Sequence, residues 1–178
     1  GEDILWNIQL INNNEKENPK HYASDFSMVD VLPYNGDQRI DPNTNNEGSK
    51  FSGNLYYKNI QIDLSKSPTT LQRLKNGTAN FYYTTETAVR NADESQLLGT
   101  QSKGNINWTK VNLTINNNIA TISLPTNAIA VKLTTRLLWE EEIRLDMTAN
   151  LVVASQQVVD DRYHNQAFVY NGNGGKSS

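Results

Sequence analysis

Apolar and polar residues alternate at the start of the chain, and the same pattern returns in most of the segments that follow. Side chains two residues apart point to the same face of a β-strand, so such alternation predicts a strand with one buried face. The pattern is carried by Ile4, Trp6, Ile8 and Leu10, with Asn7 and Gln9 between them. Polar positions are supplied mainly by Asn and Thr, which suit turns and strand faces better than helix interiors. A largely β structure is therefore predicted.

Further strands are predicted at 26–32, 51–65, 78–85, 105–115, 118–124, 128–138, 143–154 and 163–170. The run Asn116-Asn117-Asn118 separates two of them and predicts a hairpin. Segment 68–76 is the one predicted short helix, because Pro68 stands near its start and Gly77 follows its end. About nine strands joined by turn-rich segments, with one short helix, predict an all-β fold built as a single antiparallel β-sandwich.

No internal repeat or change of composition divides the chain, so residues 1–170 are predicted to form one module. The Gly- and Ser-containing tail, 171–178, is predicted to be a flexible linker. Two polar segments, 12–24 and 34–48, are predicted to be surface loops. The residues expected to share one core between two sheets are Ile4, Trp6, Ile8, Leu10, Ile60, Ile62, Leu151, Val153, Ala167 and Val169.

Composition argues against several classes of function. The net charge of −3 gives no general attraction to nucleic acid. A glycine-rich phosphate loop and a run of 18 apolar residues are both missing from the sequence, which excludes nucleotide-binding and membrane-spanning interpretations. The chain has no cysteine, which is typical of Gram-positive surface proteins and unusual for eukaryotic secreted domains. Two histidines without a cysteine do not make a zinc site, and no cofactor is expected.

The segment from Asp41 to Gly48 has the spacing of a calcium loop, since Asp41, Asn43 and Asn45 recur at every second position. A calcium loop needs glycine where this chain has Asn46, and a bidentate glutamate where it has Ser52. We therefore favour a solvated loop, with these three residues as weaker calcium candidates.

Two groups of residues raise the question of carbohydrate chemistry. Glu140 to Glu142 could supply paired carboxylates for glycoside hydrolysis, but consecutive glutamates between strands are more typical of a solvated turn. Tyr57, Tyr83 and Trp108 could form a platform on which sugars stack. Adjacent tyrosines on a strand place one ring inside and one outside, so core packing accounts for about half of such rings.

The last predicted strand has an asparagine on its apolar face. With a period of two, Tyr163, Asn165, Ala167 and Val169 share the face predicted to be buried. A buried carboxamide without hydrogen-bond partners costs about 1–3 kcal/mol. A partner for Asn165 is therefore expected inside the fold.

Three segments together resemble the conserved-repeat and fimbrial isopeptide-forming modules of Gram-positive surface proteins. The family has a Gly-Asp strand start leading to an Asn, a Val-x-Asp-x-Leu-Pro strand end and a closing Tyr-x-Asn-x-Ala-x-Val strand. The chain resembles these in order, in "GEDILWNIQLIN" at Gly1 to Asn12, "VDVLP" at Val29 to Pro33, and "YHNQAFV" at Tyr163 to Val169. It departs in detail, since Glu2 separates the first Gly from the Asp and Val29 directly precedes Asp30. The resemblance does not cover residues 38–140.

The resemblance implies an Ig-like sandwich that serves as a stalk or ligand-presenting unit of an adhesin anchored in the bacterial cell wall. Many members join a lysine of the first strand to an asparagine of the last by an intramolecular amide. An unprotonated lysine attacks the carboxamide, a neighbouring carboxylic acid polarises it, and ammonia leaves. By this resemblance Asn165 matches the bond-forming asparagine, and Asp30 is the carboxyl group nominated to assist.

The lysine is the departure from the family pattern. In the family it precedes the Gly-Asp start, and this chain begins at that glycine, so the lysine is expected upstream of Gly1. Lys58 and Lys110 are weaker substitutes on predicted strands, and Lys176 could belong to a following module. We favour the alternative in which Asn165 only forms hydrogen bonds across the sandwich and fixes strand register.

The resemblance therefore implies an extracellular location on the cell wall and no turnover chemistry. The partners it implies are a host matrix protein or a glycan, and neighbouring modules of the same chain. The alternative function is a carbohydrate-binding module of a secreted glycoside hydrolase, which would use exposed aromatic rings. A hydrolase built on Glu140–Glu142 is the least favoured hypothesis.

Overall fold

The chain folds into two antiparallel β-sheets that enclose a common apolar core. The structure is a computed structural model, and it describes residues 2–12, 23–35, 37, 51, 53–99, 104–138, 140–152, 167–171 and 176–177. The predicted all-β sandwich is confirmed. Eleven strands are present among the described residues, against about nine predicted, because three of the eleven are only two or three residues long.

The strands are β1 (Glu2–Ile11), β2 (Ala23–Val31), β3 (Asn54–Asp63), β4 (Asn80–Thr84), β5 (Thr109–Lys110), β6 (Thr114–Asn116), β7 (Ile119–Ile122), β8 (Ala130–Leu138), β9 (Glu142–Val152), β10 (Ala167–Asn171) and β11 (Lys176–Ser177). The helices are α1 (Pro68–Asn76), a 3-10 helix (Thr87–Asn91) and α2 (Glu94–Leu98). One sheet has five strands in the order β1-β9-β3-β7-β6. The other has six, in the order β11-β10-β2-β8-β4-β5.

The first strand and β10 belong to different sheets and run in the same direction, so β1 starts and β10 finishes at opposite ends of the sandwich. β1 starts opposite Leu151, at the end where β2 finishes and where β3 contacts β2 through Tyr57 and Asp30. β10 starts at this same end, with Ala167 opposite Asp30, and runs toward the other end, where Asn171 lies opposite Phe26. The turn between β8 and β9 lies at that other end, because Ala23 pairs with Leu138 and Ile11 pairs with Glu142.

The main core lies between the two sheets, as predicted. Of the expected core residues, Leu10, Ile60, Ile62 and Leu151 are buried in it, and Ile4, Trp6, Ile8, Ala167 and Val169 are partly buried against it. Val153 lies outside the described residues. The alternation of β1 therefore turns one face to the core, while Leu5 and Ile11 on the other face are exposed.

A second apolar cluster was not predicted, and it covers the opposite face of the six-stranded sheet. Val29 and Val31 of β2 and Ala130 of β8 pack there against Leu97 of α2 and Ile106. The segment between β4 and β5, with the 3-10 helix and α2, supplies these outer residues. The prediction of a single core therefore missed this cluster. A sheet that is covered on both faces needs apolar residues on both faces.

Local signals located the helix and the hairpin correctly. α1 has the predicted bounds, because the Ser67 side chain accepts a hydrogen bond from the Thr70 backbone N–H and Gly77 ends the helix with φ of 82°. In the predicted hairpin, β6 and β7 are joined by Asn117 and Asn118, both with positive φ. The predicted strand over 105–115 is replaced by two short strands, β5 and β6, that belong to different sheets.

Most of the two predicted loops, 12–24 and 34–48, lies outside the described residues. Their described boundaries belong to the folded body. Asn12 is buried, its side chain donates to the backbone oxygen of Leu137 at 2.9 Å, and β2 already begins at Ala23. In the tail, Asn171 ends β10 and Lys176–Ser177 pair with β10, so these positions of the predicted linker belong to the sheet.

Candidate functional site

A buried carboxyl group lies between the two sheets. Asp30, in β2, has 0 % of its surface exposed, and β3 places the 2 % exposed Tyr57 against it. The Tyr57 hydroxyl lies 2.5 Å from Asp30 Oδ2 and 3.0 Å from the Asp30 backbone oxygen. The hydroxyl can donate its one hydrogen to either acceptor. Asp30 and Tyr57 are therefore an internal polar contact that joins the two sheets.

The register of the strands explains how Tyr57 reaches Asp30. The pairing of β3 with β9 shifts between Tyr57 and Asn59, which leaves Lys58 as the extra residue of a bulge. A bulge redirects the side chains on either side of it. The Tyr57 backbone N–H also donates to the Ala128 oxygen at 3.1 Å, just before β8, which holds β3 against the other sheet.

Two of the three family-like segments are direct neighbours in the six-stranded sheet. Asp30, in the segment 29–33, lies opposite Ala167, in the segment 163–169. Ala167 follows Asn165 by two residues. Asn165 itself lies outside the described residues, so its predicted burial beside Asp30 stays a prediction. Asp41, Asn43 and Asn45 also lie outside them, and the described residues contain no cluster of three metal-ligating side chains.

The aromatic residues proposed for sugar stacking do not form a common surface. Tyr57 is buried in the core and its hydroxyl is used by Asp30, which corrects its assignment as an exposed ring. Tyr83 packs against the same core, whereas Trp108 packs against the second cluster on the far face of the sheet. The structure thus separates these three rings instead of gathering them.

The described lysines do not face Asp30. Lys58 is exposed and forms an ion pair of 2.9 Å with Asp3 on the outer face of the five-stranded sheet, and Lys110 is exposed in β5. Lys132 is buried, but it lies opposite Val29 and contacts the second cluster, so it is on the other face of the sheet from Asp30. Lys176 lies in β11, where its backbone pairs with that of Tyr170 in β10.

The three consecutive glutamates have different roles. Glu141 is buried, and its carboxylate accepts hydrogen bonds from the backbone N–H groups of Leu138 at 2.7 Å and Thr69 at 3.1 Å. Because Thr69 lies in the first turn of α1, this carboxylate also meets the positive end of the helix. The predicted solvated turn is correct for the exposed Glu140 and wrong for Glu141, which anchors α1 to the turn between β8 and β9.

Lys132 was missed by the sequence reasoning. It is 8 % exposed, and its ammonium donates to the Leu97 backbone oxygen at 3.1 Å. The ring centroids of Tyr82 and Trp108 lie 5.2 Å and 4.9 Å from its Nζ, within cation–π range. Burial lowers the pKa of Lys132 to about 8. A lysine in an alternating strand looks like a solvent-facing residue, so the covering segment that buries it leaves no signal at this position.

We expect Lys132→Met to flatten the dependence of stability on pH above neutrality. Between about pH 8 and the unfolded lysine pKa of about 10.4, the unfolded chain keeps a proton that the folded chain has lost, so the free energy of unfolding rises with pH. The variant should be more stable than the wild type by about 1 kcal/mol at pH 7, since a buried charge is removed. This advantage should shrink toward pH 10.

Urea unfolding at pH 7, 8.5 and 10 measures this difference directly. Lys110→Met, at an exposed lysine, is the matched control and should show no such change with pH. A Lys132→Met variant that is less stable than the wild type by the same amount at every pH would contradict the prediction. It would mean that the ring and carbonyl contacts of the ammonium outweigh the cost of its burial.

Comparison of the chain with protein-family models, with curated proteins and with solved structures gives no match. Among the described residues, none of the helices is long and apolar enough to cross a membrane. The functional argument therefore depends on the arrangement of residues within this fold.

Proposed function

We propose that the chain is a structural or ligand-presenting module of an adhesin anchored in the cell wall of a Gram-positive bacterium. The observation that supports this most strongly is the pairing of the 29–33 and 163–169 segments, with Ala167 opposite Asp30. Two segments far apart in sequence, each resembling a part of the same family pattern, thus lie side by side. The third segment, Gly1 to Asn12, contains β1, the edge strand of the facing sheet.

The contacts around Asp30 support a structural role, in which the two sheets are held together, rather than turnover chemistry. Its carboxyl group has no exposed surface, so an external substrate could not reach it without opening the sandwich. Its neighbour Tyr57 belongs to the other sheet, and the contact between them therefore resists separation of the sheets. A module of this kind holds its neighbours in a surface protein apart and presents its loops and edges to partners.

Fractionation of the source cells tests the proposed location. An antibody raised against residues 1–178 should detect the polypeptide in the material that a wall-digesting hydrolase releases from intact cells. A cytosolic enzyme assayed in the same fractions reports any lysis. Detection only in the cytosol, together with that marker, would contradict the proposal.

We expect the intact mass of the purified chain to equal the mass of its sequence. An amide formed between a lysine and Asn165 would release ammonia and lower the mass by about 17 Da. The described side chains of Lys58, Lys110 and Lys132 are either exposed or directed away from Asp30, so none of them can meet a carboxamide placed beside it. Asn165 would then act through hydrogen bonds that fix the strand register.

Electrospray mass spectrometry of the denatured chain measures the mass, and Asn165→Ala provides the control. If no bond forms, wild type and variant should each have their sequence mass, and the variant should lose about 1–3 kcal/mol of stability through unpaired polar groups. A wild-type mass low by about 17 Da, restored to the sequence value in the variant, would show instead that the clamp forms.

A further inference from the structure

A groove opens between the edges of the two sheets on the side away from β1 and β10. Its volume is about 590 Å³, and it runs between β5 and β6, which are the edge strands of the six- and five-stranded sheets. The C-terminal end of α1 and the start of β4 also line it. We call this the β5–β6 groove. Its residues belong neither to the Asp30 contact nor to the second cluster.

The side chains that line the β5–β6 groove combine apolar and cationic groups. Leu74, Leu113 and Ile115 are only partly buried against the main core, so each leaves apolar surface facing the groove. Lys75 and Lys110 are exposed at its edge, and none of the described residues that line it is an Asp or a Glu. A partner that fits this lining carries apolar groups to cover the leucines and Ile115, and negative charge to meet the two lysines.

The backbone of β6 offers hydrogen bonds on the groove side. In the hairpin, Asn116 and Ile119 close a two-residue turn and form a hydrogen-bonded pair. The next pair, Ile115 and Ala120, is then non-hydrogen-bonded, so the N–H and C=O groups of Ile115 point away from β7. No described strand lies beyond β6 in the sheet. An added strand could pair with these groups.

A polar side chain in the groove also has an unused acceptor. Asn80 donates its Nδ2 hydrogen to the Gly77 oxygen at 3.3 Å, while its Oδ1 is buried and has no hydrogen-bond partner. An acceptor in this state costs free energy unless a donor is supplied. Because this oxygen has almost no accessible surface, a peptide N–H group could meet it only after the side chain turned toward the groove. The β6 edge and the charge of the lining thus point to the same kind of partner.

We infer that the β5–β6 groove binds an extended peptide segment that carries acidic and apolar side chains and adds as a short strand beside β6. Such strand addition takes affinity from main-chain hydrogen bonds and specificity from pockets for alternate side chains. A glycan is disfavoured because Phe81, the one aromatic side chain among the described residues of the lining, is 0 % exposed and offers no ring for stacking. The inference extends the ligand-presenting part of the proposed function by naming a surface and a partner class.

An NMR titration of the isotopically labelled chain tests this inference with two peptides of eight residues. One alternates glutamate with valine, and the other alternates lysine with valine. The acidic peptide should give saturable shifts of the amides of Ile115, Asn80 and Lys110. The basic peptide should bind at least about tenfold more weakly, because it places like charge beside the two lysines.

Matched charge variants separate the groove from general electrostatic attraction. Lys75→Gln with Lys110→Gln should weaken the acidic peptide about tenfold, while Lys58→Gln with Lys66→Gln, which changes the net charge equally outside the groove, should not. Equal binding of both peptides, shifts that map elsewhere, or equal effects of the two double variants would overturn the inference. Shifts of the same amides by an oligosaccharide without any by the acidic peptide would also overturn it. These outcomes concern the groove only, and cell fractionation tests the adhesin proposal separately.

Discussion

Tyr57→Phe is expected to reduce the free energy of unfolding by about 2–3 kcal/mol at pH 7, because it removes a hydrogen bond donated to a buried carboxyl group. The substitution keeps the ring and its packing, and it removes the hydroxyl that contacts Asp30. Both residues are almost completely inaccessible, and water cannot replace the missing donor without entering the core. Urea unfolding monitored by circular dichroism measures the change.

Tyr83→Phe is the matched control, because Tyr83 also packs against the main core and its hydroxyl bonds to no other described residue. It should change stability by less than about 0.5 kcal/mol. A double-mutant cycle that combines Tyr57→Phe with Asp30→Asn tests the contact more directly. Once the carboxyl group is an amide, loss of the hydroxyl should cost less, and the difference gives the coupling between the two sites. Equal losses for Tyr57→Phe in both backgrounds would show that Asp30 is not its energetic partner.

Glu141→Gln is expected to destabilise the fold by about 2 kcal/mol, and Glu141→Ala by about 3 kcal/mol. The carboxylate accepts from Leu138 and Thr69 with its two different oxygens. A glutamine has one oxygen and one NH₂ group, so it can satisfy one backbone donor and must turn a donor toward the other. Alanine leaves both backbone N–H groups without this acceptor.

Glu142→Gln makes the same chemical change one residue away. Glu142 accepts from Gln9 and forms a 3.8 Å ion pair with Lys66 at the surface, so its substitution should cost less than about 1 kcal/mol. Differential scanning calorimetry of the three variants gives the comparison. Similar losses for Glu141→Gln and Glu142→Gln would contradict an anchoring role for Glu141 and restore the interpretation of a solvated turn.

The elements that local chemistry determines could be predicted from the sequence. α1 was located because Pro68 and Gly77 mark its two ends, and the structure adds Ser67 as the residue that caps its start. The alternation of apolar and polar residues along β1 predicted which face is buried, because it too depends on residues close together in the sequence. The resemblance singled out Asp30, and the structure places it between the sheets, but the sequence alone did not pair it with Tyr57. That contact depends on a bulge in β3 and on the approach of two sheets.

The remaining failures arise where one part of the chain changes the surroundings of another. Lys132 and Val29 lie on the face of a sheet that would be solvent-exposed in a simple sandwich, and the segment between β4 and β5 covers it. In the sequence Glu141 is one of three consecutive glutamates. Only the position of α1, whose Thr69 donates to its carboxylate, distinguishes it from the other two. Such residues can be recognised only after the covering element has been placed.

The start of β1 and the end of β10 lie at opposite ends of the sandwich, and this has a consequence for how the module would respond to tension. A pull on the start of β1 acts along its axis, and a pull on the end of β10 acts the other way, at the far end of the sandwich. The force would pass from β1 to β9, through the turn to β8, and through β2 to β10. The hydrogen bonds of these pairs would be loaded together in shear instead of being opened one at a time. After the two-residue pairing of β11 peels away, rupture would require long strands to slide past each other. A sandwich with this strand order is suited to stay folded while its two ends are pulled apart.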